Sequence, residues 1–169
     1  MIDALLLAAM ALSLAAMAWL LKGGFRTPAP PPAALKDTRA YTPPSPPEPA
    51  AHWSDGGRLQ TEVVAESRYA DTVRALAGQH GDDGADTRLP AVLMVDAANP
   101  YDDKPVAVFV TGKMVGYLAP KDAQAFRAQL MRQELEGQAV SCDAAIRGGK
   151  LWNGKQLTYA VWLDIEPQR

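Results

Sequence analysis

The sequence predicts a mainly β domain of the α+β class: a barrel of about six strands with two helices, preceded by one transmembrane helix. Three observations lead there. Composition divides the 169 residues into an apolar start, a proline-rich stretch and a mixed remainder. The remainder reads strand–helix–strand–strand–helix–strand–strand, an order that suits a mixed or barrel architecture rather than a parallel sheet. Its central hairpin is apolar on both faces, as expected of a sheet covered on both sides or closed on itself.

Residues 4–21, ALLLAAMALSLAAMAWLL, carry no charge. At about 1.5 Å per residue such a helix spans about 27 Å, close to the hydrocarbon core of a bilayer. Ala16-Met17-Ala18 imitates a signal-peptidase site, but the preceding Met-Ile-Asp lacks the positive flank of a signal peptide, so residues 1–21 read as an anchor. Lys22 and Arg26 follow the helix and only Asp3 precedes it, which by the positive-inside rule places the globular part in the cytoplasm. Residues 22–58 hold nine of the fourteen prolines. Proline removes donors and fixes φ, so this stretch reads as an extended, disordered tether, with PPSPP also a conceivable ligand for proline-binding modules.

The globular part is assigned to 59–169. QTEVVAES, 60–67, reads as a strand around Val63 and Val64. YADTVRALAGQ follows as a short helix with Val73, Leu76 and Ala77 on one side and Gly78 at its stop. HGDDGADT is a polar loop, and RLPAVLMVDA a buried strand. PVAVFVT and KMVGYLA form a hairpin turning at Gly112. Pro120 suits a first helical position, and Ala123, Phe126, Leu130 and Met131 make one apolar stripe behind it. QAVSCDAAIRGG and LTYAVWLDI complete the strands, with the turn pair Asn153-Gly154 between them. Trp162, alternating with Val161 and Leu163, is assigned to the core, and Trp152, in a glycine-rich loop beside Arg147 and Lys150, to the surface.

Four segments carry a family resemblance: Ser67-Arg68-Tyr69 before the first helix, Asn99-Pro100-Tyr101-Asp102, Val115-Gly116-Tyr117-Leu118 followed by Pro120 and a helix, and a late strand ending near Gly148-Gly149. Their order and spacing, from about Val63 to Ile165, resemble the HIRAN domain. The resemblance implies a small OB- or SH3-like barrel. It also implies a groove that holds the 3′ end of single-stranded DNA, with Arg68 as a phosphate contact, Tyr69 as a stacking ring, Tyr101 and Asp102 on the terminal base and its 3′ hydroxyl, and Tyr117 near the same groove. The chemistry is coherent. An aromatic face stacks any base for about 1–3 kcal/mol. A carboxylate such as Asp102 accepts from a hydroxyl but repels phosphate, favouring a strand end over a continuous backbone. Arg68 or Lys113 supplies compensating positive charge.

Charge and motifs narrow the classes. Residues 59–169 hold 12 Lys and Arg against 15 Asp and Glu, a balance of −3 that argues against strong nonspecific nucleic-acid binding. That balance leaves open a protein–protein scaffold with an unidentified protein partner. Catalysis finds little support: His52 and His80 have no metal-ligand spacing, Cys142 reads as a buried inert thiol, Asp102 and Asp103 point apart in extended chain, and phosphate-loop, dinucleotide and nucleophile-elbow motifs are missing. The expectation is a non-enzymatic binding module without a cofactor. The single cysteine also gives no disulfide framework.

Overall fold

A computed structural model describes residues 41–64 and 66–166. The anchor assigned to 1–21 and the spacer residues 22–40 lie outside the described residues. Among those described, no helix is long and apolar enough to cross a membrane.

Described elements run β1 (Ala51–His52), β2 (Thr61–Val64), a 3-10 turn (Glu66–Tyr69), α1 (Ala70–Ala77), β3 (Ala85–Val95), β4 (Val106–Val110), β5 (Lys113–Leu118), α2 (Pro120–Arg132), β6 (Val140–Gly148), β7 (Leu151–Trp152), β8 (Lys155–Gln156) and β9 (Tyr159–Leu163). Six strands close into an antiparallel barrel in the order β6-β3-β4-β5-β2-β9, with β9 returning to β6. Closure removes the exposed edges that an open sheet of this length would present. β6 makes it possible: it is paired along its length with β3, and from Ala144 to Gly148 its other edge takes β9. The Val140 and Ser141 end of that edge takes β1 in parallel. β7 and β8 form a separate two-stranded hairpin, turning at Asn153 (φ 49°) and Gly154 (φ 74°) as the turn pair predicts.

The barrel interior is apolar, with Val63, Leu93, Val108, Val115, Ile146 and Leu163 all at 1% exposure or less. Both helices lay their apolar stripes on this core: Val73 and Ala77 from α1, Ala123, Phe126 and Leu130 from α2. Pro120 begins α2 as expected. Met131 departs from expectation. It is 64% exposed, because the stripe is already closed by Leu130 one residue earlier. Trp162 is a second correction. Alternation with inward Val161 and Leu163 turns it to the outside of β9, where it is half-buried opposite Glu62 and Ala145 rather than in the core.

A smaller apolar layer lies on the other face of the central hairpin. Ala107, Phe109 and Met114 are buried there under Tyr69, Met94 and Tyr117. One extra residue makes both layers possible. The β4–β5 register shifts between Val108 and Phe109, so that Phe109 faces Met114 while Val108 faces Gly116, leaving Val115 as the bulged residue. Val115 therefore joins the interior and Tyr117 the outer layer. Gly116 is required at this bulge: its φ is +154°, and a Cβ there would lie 2.4 Å from the Val64 carbonyl oxygen.

The ordered domain begins earlier than composition places it. Residues 50–58, grouped with the tether, belong to the barrel. Ala50 N–H donates to Ala139 O and Trp53 N–H to Ser141 O. The Trp53 ring packs on Phe126 at 5.0 Å, and Leu59 is buried. A composition boundary misses this, because β1 spans only two residues and leaves no periodicity to read.

Candidate ligand groove

Five segments converge on the outer face of the β4–β5 hairpin. The 3-10 turn ends in Arg68 and Tyr69, and Tyr69 occupies the N-cap position of α1, so the helix start fixes where its ring stands. β3 ends at Val95, and the next residue, Asp96, is only 1% exposed. Its N–H donates to Pro105 O at 2.8 Å, closing the loop 96–105 at its base. β5 contributes Tyr117, paired with Ala107 and Val64. The fifth segment is the chain entering the domain, at Tyr41.

The Asn-Pro-Tyr-Asp stretch is both a turn and a presentation device. Asn99 Oδ1 accepts from the N–H groups of Tyr101 (2.9 Å) and Asp102 (3.2 Å), a local side-chain cap that shapes the loop. Asn99 Nδ2 donates to Asp96 Oδ2 at 3.2 Å and reaches the Tyr117 hydroxyl at 3.4 Å. Thus the asparagine ties the loop to both the buried carboxylate and the β5 tyrosine. Tyr101 is half-buried beside it, and Asp102 is exposed, its Oδ1 accepting from the Asp103 N–H.

Tyr41 completes the cluster. Its hydroxyl donates to Asp96 Oδ1 at 2.6 Å, its ring stands edge-on to Tyr101 at 6.5 Å, and its carbonyl accepts from Arg68 Nη2 at 3.4 Å. Burial and the adjoining Asp96 carboxylate push the Tyr41 phenol up to about 12. Tyr117 is raised further, by burial first, then by the proximity of Tyr69 and Asp96, a hydrogen bond with Tyr69, and Tyr41. Both phenols are therefore neutral donors across the physiological range.

Of the residues singled out in the sequence, Arg68, Tyr69, Tyr101 and Tyr117 fall in this one cluster, and Asp102 stands exposed on the loop next to Tyr101. Lys113 does not join them. It is exposed at the hairpin turn, four residues before Tyr117, about 13 Å away along the strand. Sequence reading missed Asp96, Asn99 as a structural tie, and Tyr41. Asp96 sat in an apolar strand reading, VLMVDA, where a lone carboxylate was the available signal. For Tyr41 it was an aromatic inside a proline-rich tether.

The 3-10 turn also borders a cavity of about 400 Å³, lined by Glu62, Ser67, Val73, Arg74, Leu157 and Tyr159 among others. Ser67 thus opens onto this cavity while its neighbours Arg68 and Tyr69 enter the tyrosine cluster. Among the described residues, no group of three or more His, Cys, Asp or Glu side chains is placed to hold a metal ion. Cys142 is buried, and burial first, then Asp164 and Asp143, pushes its thiol up to about 12, far from a reactive thiolate. Trp152 is 61% exposed at the β7–β8 hairpin, as expected, and Arg147 beside it pairs with Asp86 at 3.1 Å.

The sequence matches no protein-family model, and no curated protein or solved structure is significantly similar to it.

Proposed function

We propose that the chain is a HIRAN-like, membrane-tethered, non-catalytic module that binds the end of a single-stranded nucleic acid, or a nucleotide-like ligand, in the cytosol. The observation that carries this reading is the convergence of Arg68, Tyr69, Tyr101 and Tyr117, from three separate elements, in one cluster that Tyr41 and Asn99 tie to a buried carboxylate, Asp96. Three aromatic rings offer stacking surfaces to bases, and Arg68 offers a guanidinium to a phosphate. Asp102, exposed beside Tyr101, offers an acceptor to a terminal hydroxyl, a preference that phosphate repulsion sharpens. Few charges are needed to hold one strand end, which reconciles the groove with a domain balance of −3.

A protein–protein scaffold is the second reading. It is favoured by that acidic balance and by the peptide segment around Tyr41 that already lies on the groove. The two readings separate in a binding titration of the full chain, in mild detergent at low salt, against a short fluorescent single strand. The nucleic-acid reading expects saturable binding that Tyr101→Ala and Asp102→Ala each abolish while the circular dichroism melt stays cooperative. Binding that survives both substitutions puts the site elsewhere.

A further inference from the structure

The arm that leads into the domain lies where the ligand of this groove would lie. Tyr41 touches Asp96, Tyr101 and Arg68 through its hydroxyl, ring and carbonyl. Two residues on, Pro43 is buried. We propose that residues 41–43, Tyr-Thr-Pro, are an internal occupant of the groove, and that an incoming ligand must displace them. The proposal rests on the groove being the binding site.

The contacts match those a ligand would need. A phenol ring set edge-on to Tyr101 takes the place of a base, and its hydroxyl, donating to a buried carboxylate, takes the place of a donor on that base. With Tyr41 gone, the Asp96 carboxylate keeps, among the described residues, only the 3.2 Å Asn99 contact from a side chain, so the groove is left with an acceptor to satisfy. The empty groove therefore favours a donor-bearing aromatic ligand.

The arm is also built to leave. Among the described residues, its first backbone hydrogen bond to the barrel is Ala50 N–H to Ala139 O. Residues 41–49 are thus held through side chains and one carbonyl. Prolines at 43, 44, 46, 47 and 49 keep this stretch extended, so seating Tyr41 costs little chain entropy, and releasing it disturbs no strand of the barrel. Tethering at Ala50 within about 30 Å of chain keeps the effective concentration of Tyr41 high, so one side chain competes with a free ligand.

The test compares the full-length wild type with Tyr41→Ala and Tyr41→Phe, using a fluorescent single strand with a free 3′ hydroxyl. Tyr41→Ala should bind about tenfold more tightly than wild type, the scale of one hydrogen bond to a carboxylate, and Tyr41→Phe should fall between. Equal or weaker binding by Tyr41→Ala overturns the proposal while leaving the nucleic-acid reading intact. A second probe, a labelled peptide of residues 41–50, is offered to the Tyr41→Ala chain. If no strand binds to any form but the peptide is captured, and Asp96→Asn abolishes the capture, the occupant stands and the nucleic-acid reading falls. If neither strand nor peptide binds, both fall.

Discussion

Two buried aspartates hold the same incoming chain, and they hold it differently. Asp164, just after β9, is 2% exposed, and it accepts from the Ser54 hydroxyl and from the N–H groups of Asp55 (3.3 Å) and Gly57 (2.8 Å). β1 pairs with β6 only two residues upstream of Ser54. Among the described residues, Asp96, 1% exposed, takes the arm by the Tyr41 hydroxyl and by no backbone donor of the arm. The first attachment is backbone-rich and continuous with the sheet; the second is a single side chain. Residues 50–58 are accordingly part of the barrel, while 41–49 form a strap held, among the described residues, by the Tyr41 hydroxyl and carbonyl, its ring contact with Tyr101 and the buried Pro43. Only the second arrangement suits a region that must open for a ligand.

Breaking the Asp164 clasp should have the largest effect. Asp164→Ala leaves a serine hydroxyl and two N–H groups without their acceptor, and we expect a loss of about 3 kcal/mol, measured by denaturant unfolding. Asp96→Ala should cost less, about 1–2 kcal/mol, because among the described residues only the Tyr41 and Asn99 side chains lose a partner, and it should free residues 41–49 to rapid hydrogen exchange while β1 stays protected. Tyr41→Phe should be the mildest, about 1 kcal/mol or less, with the barrel's melt cooperative as before.

pH sharpens the same contrast. Burial raises Asp164, but hydrogen bonds from Asp55, Ser54 and Gly57 outweigh it and hold the carboxyl below its ordinary range. Its contribution is therefore present above the ordinary carboxylate value and lost as pH falls through the lowered one. Asp55 is shifted the other way, by burial and then by its hydrogen bond with Asp164, against the pull of Arg58. Its contribution is complete below the ordinary value and lost as pH rises through the raised one. The clasp is thus tightest in mild acid, when one proton is shared. Asp55→Asn, which keeps a donor but cannot ionise, should melt above wild type at pH 8 and no higher than wild type at pH 4. The Tyr41 phenol, held protonated to about 12, stays a donor at both pH values, so its own ionisation does not loosen the strap.

Much of the barrel was legible because its signals are local. The Gly112 turn, the Pro120 helix start, the Gly78 stop and the Asn153-Gly154 turn each follow from one or two residues whose backbone preferences are strong. The two-faced hairpin of Val106–Val110 announced a covered sheet, and both faces are buried. The candidate groove was legible in part, since Arg68-Tyr69 and Asn99–Asp102 form compact motifs. What stayed hidden depends on closure. Tyr41 and Asp96 are 55 residues apart, and Ser54 and Asp164 are 110 apart; no periodicity or turn chemistry links such pairs before the strands are ordered. Proline content concealed them further, because a stretch that cannot build a core can still be laid on one. Trp162 was misplaced for a simpler reason: alternation gives two faces, and only the pairing partners Glu62 and Ala145 reveal which one is outside.

The most direct test of the groove is fluorescence anisotropy of the full chain with two otherwise identical single strands, one ending in a free 3′ hydroxyl and one in a 3′ phosphate, at low salt. The account predicts saturable binding of the hydroxyl strand and much weaker binding of the phosphate strand, because Asp102 accepts from the first and repels the second. Equal binding of both strands, or binding of neither by the wild type and Tyr41→Ala alike, would contradict it.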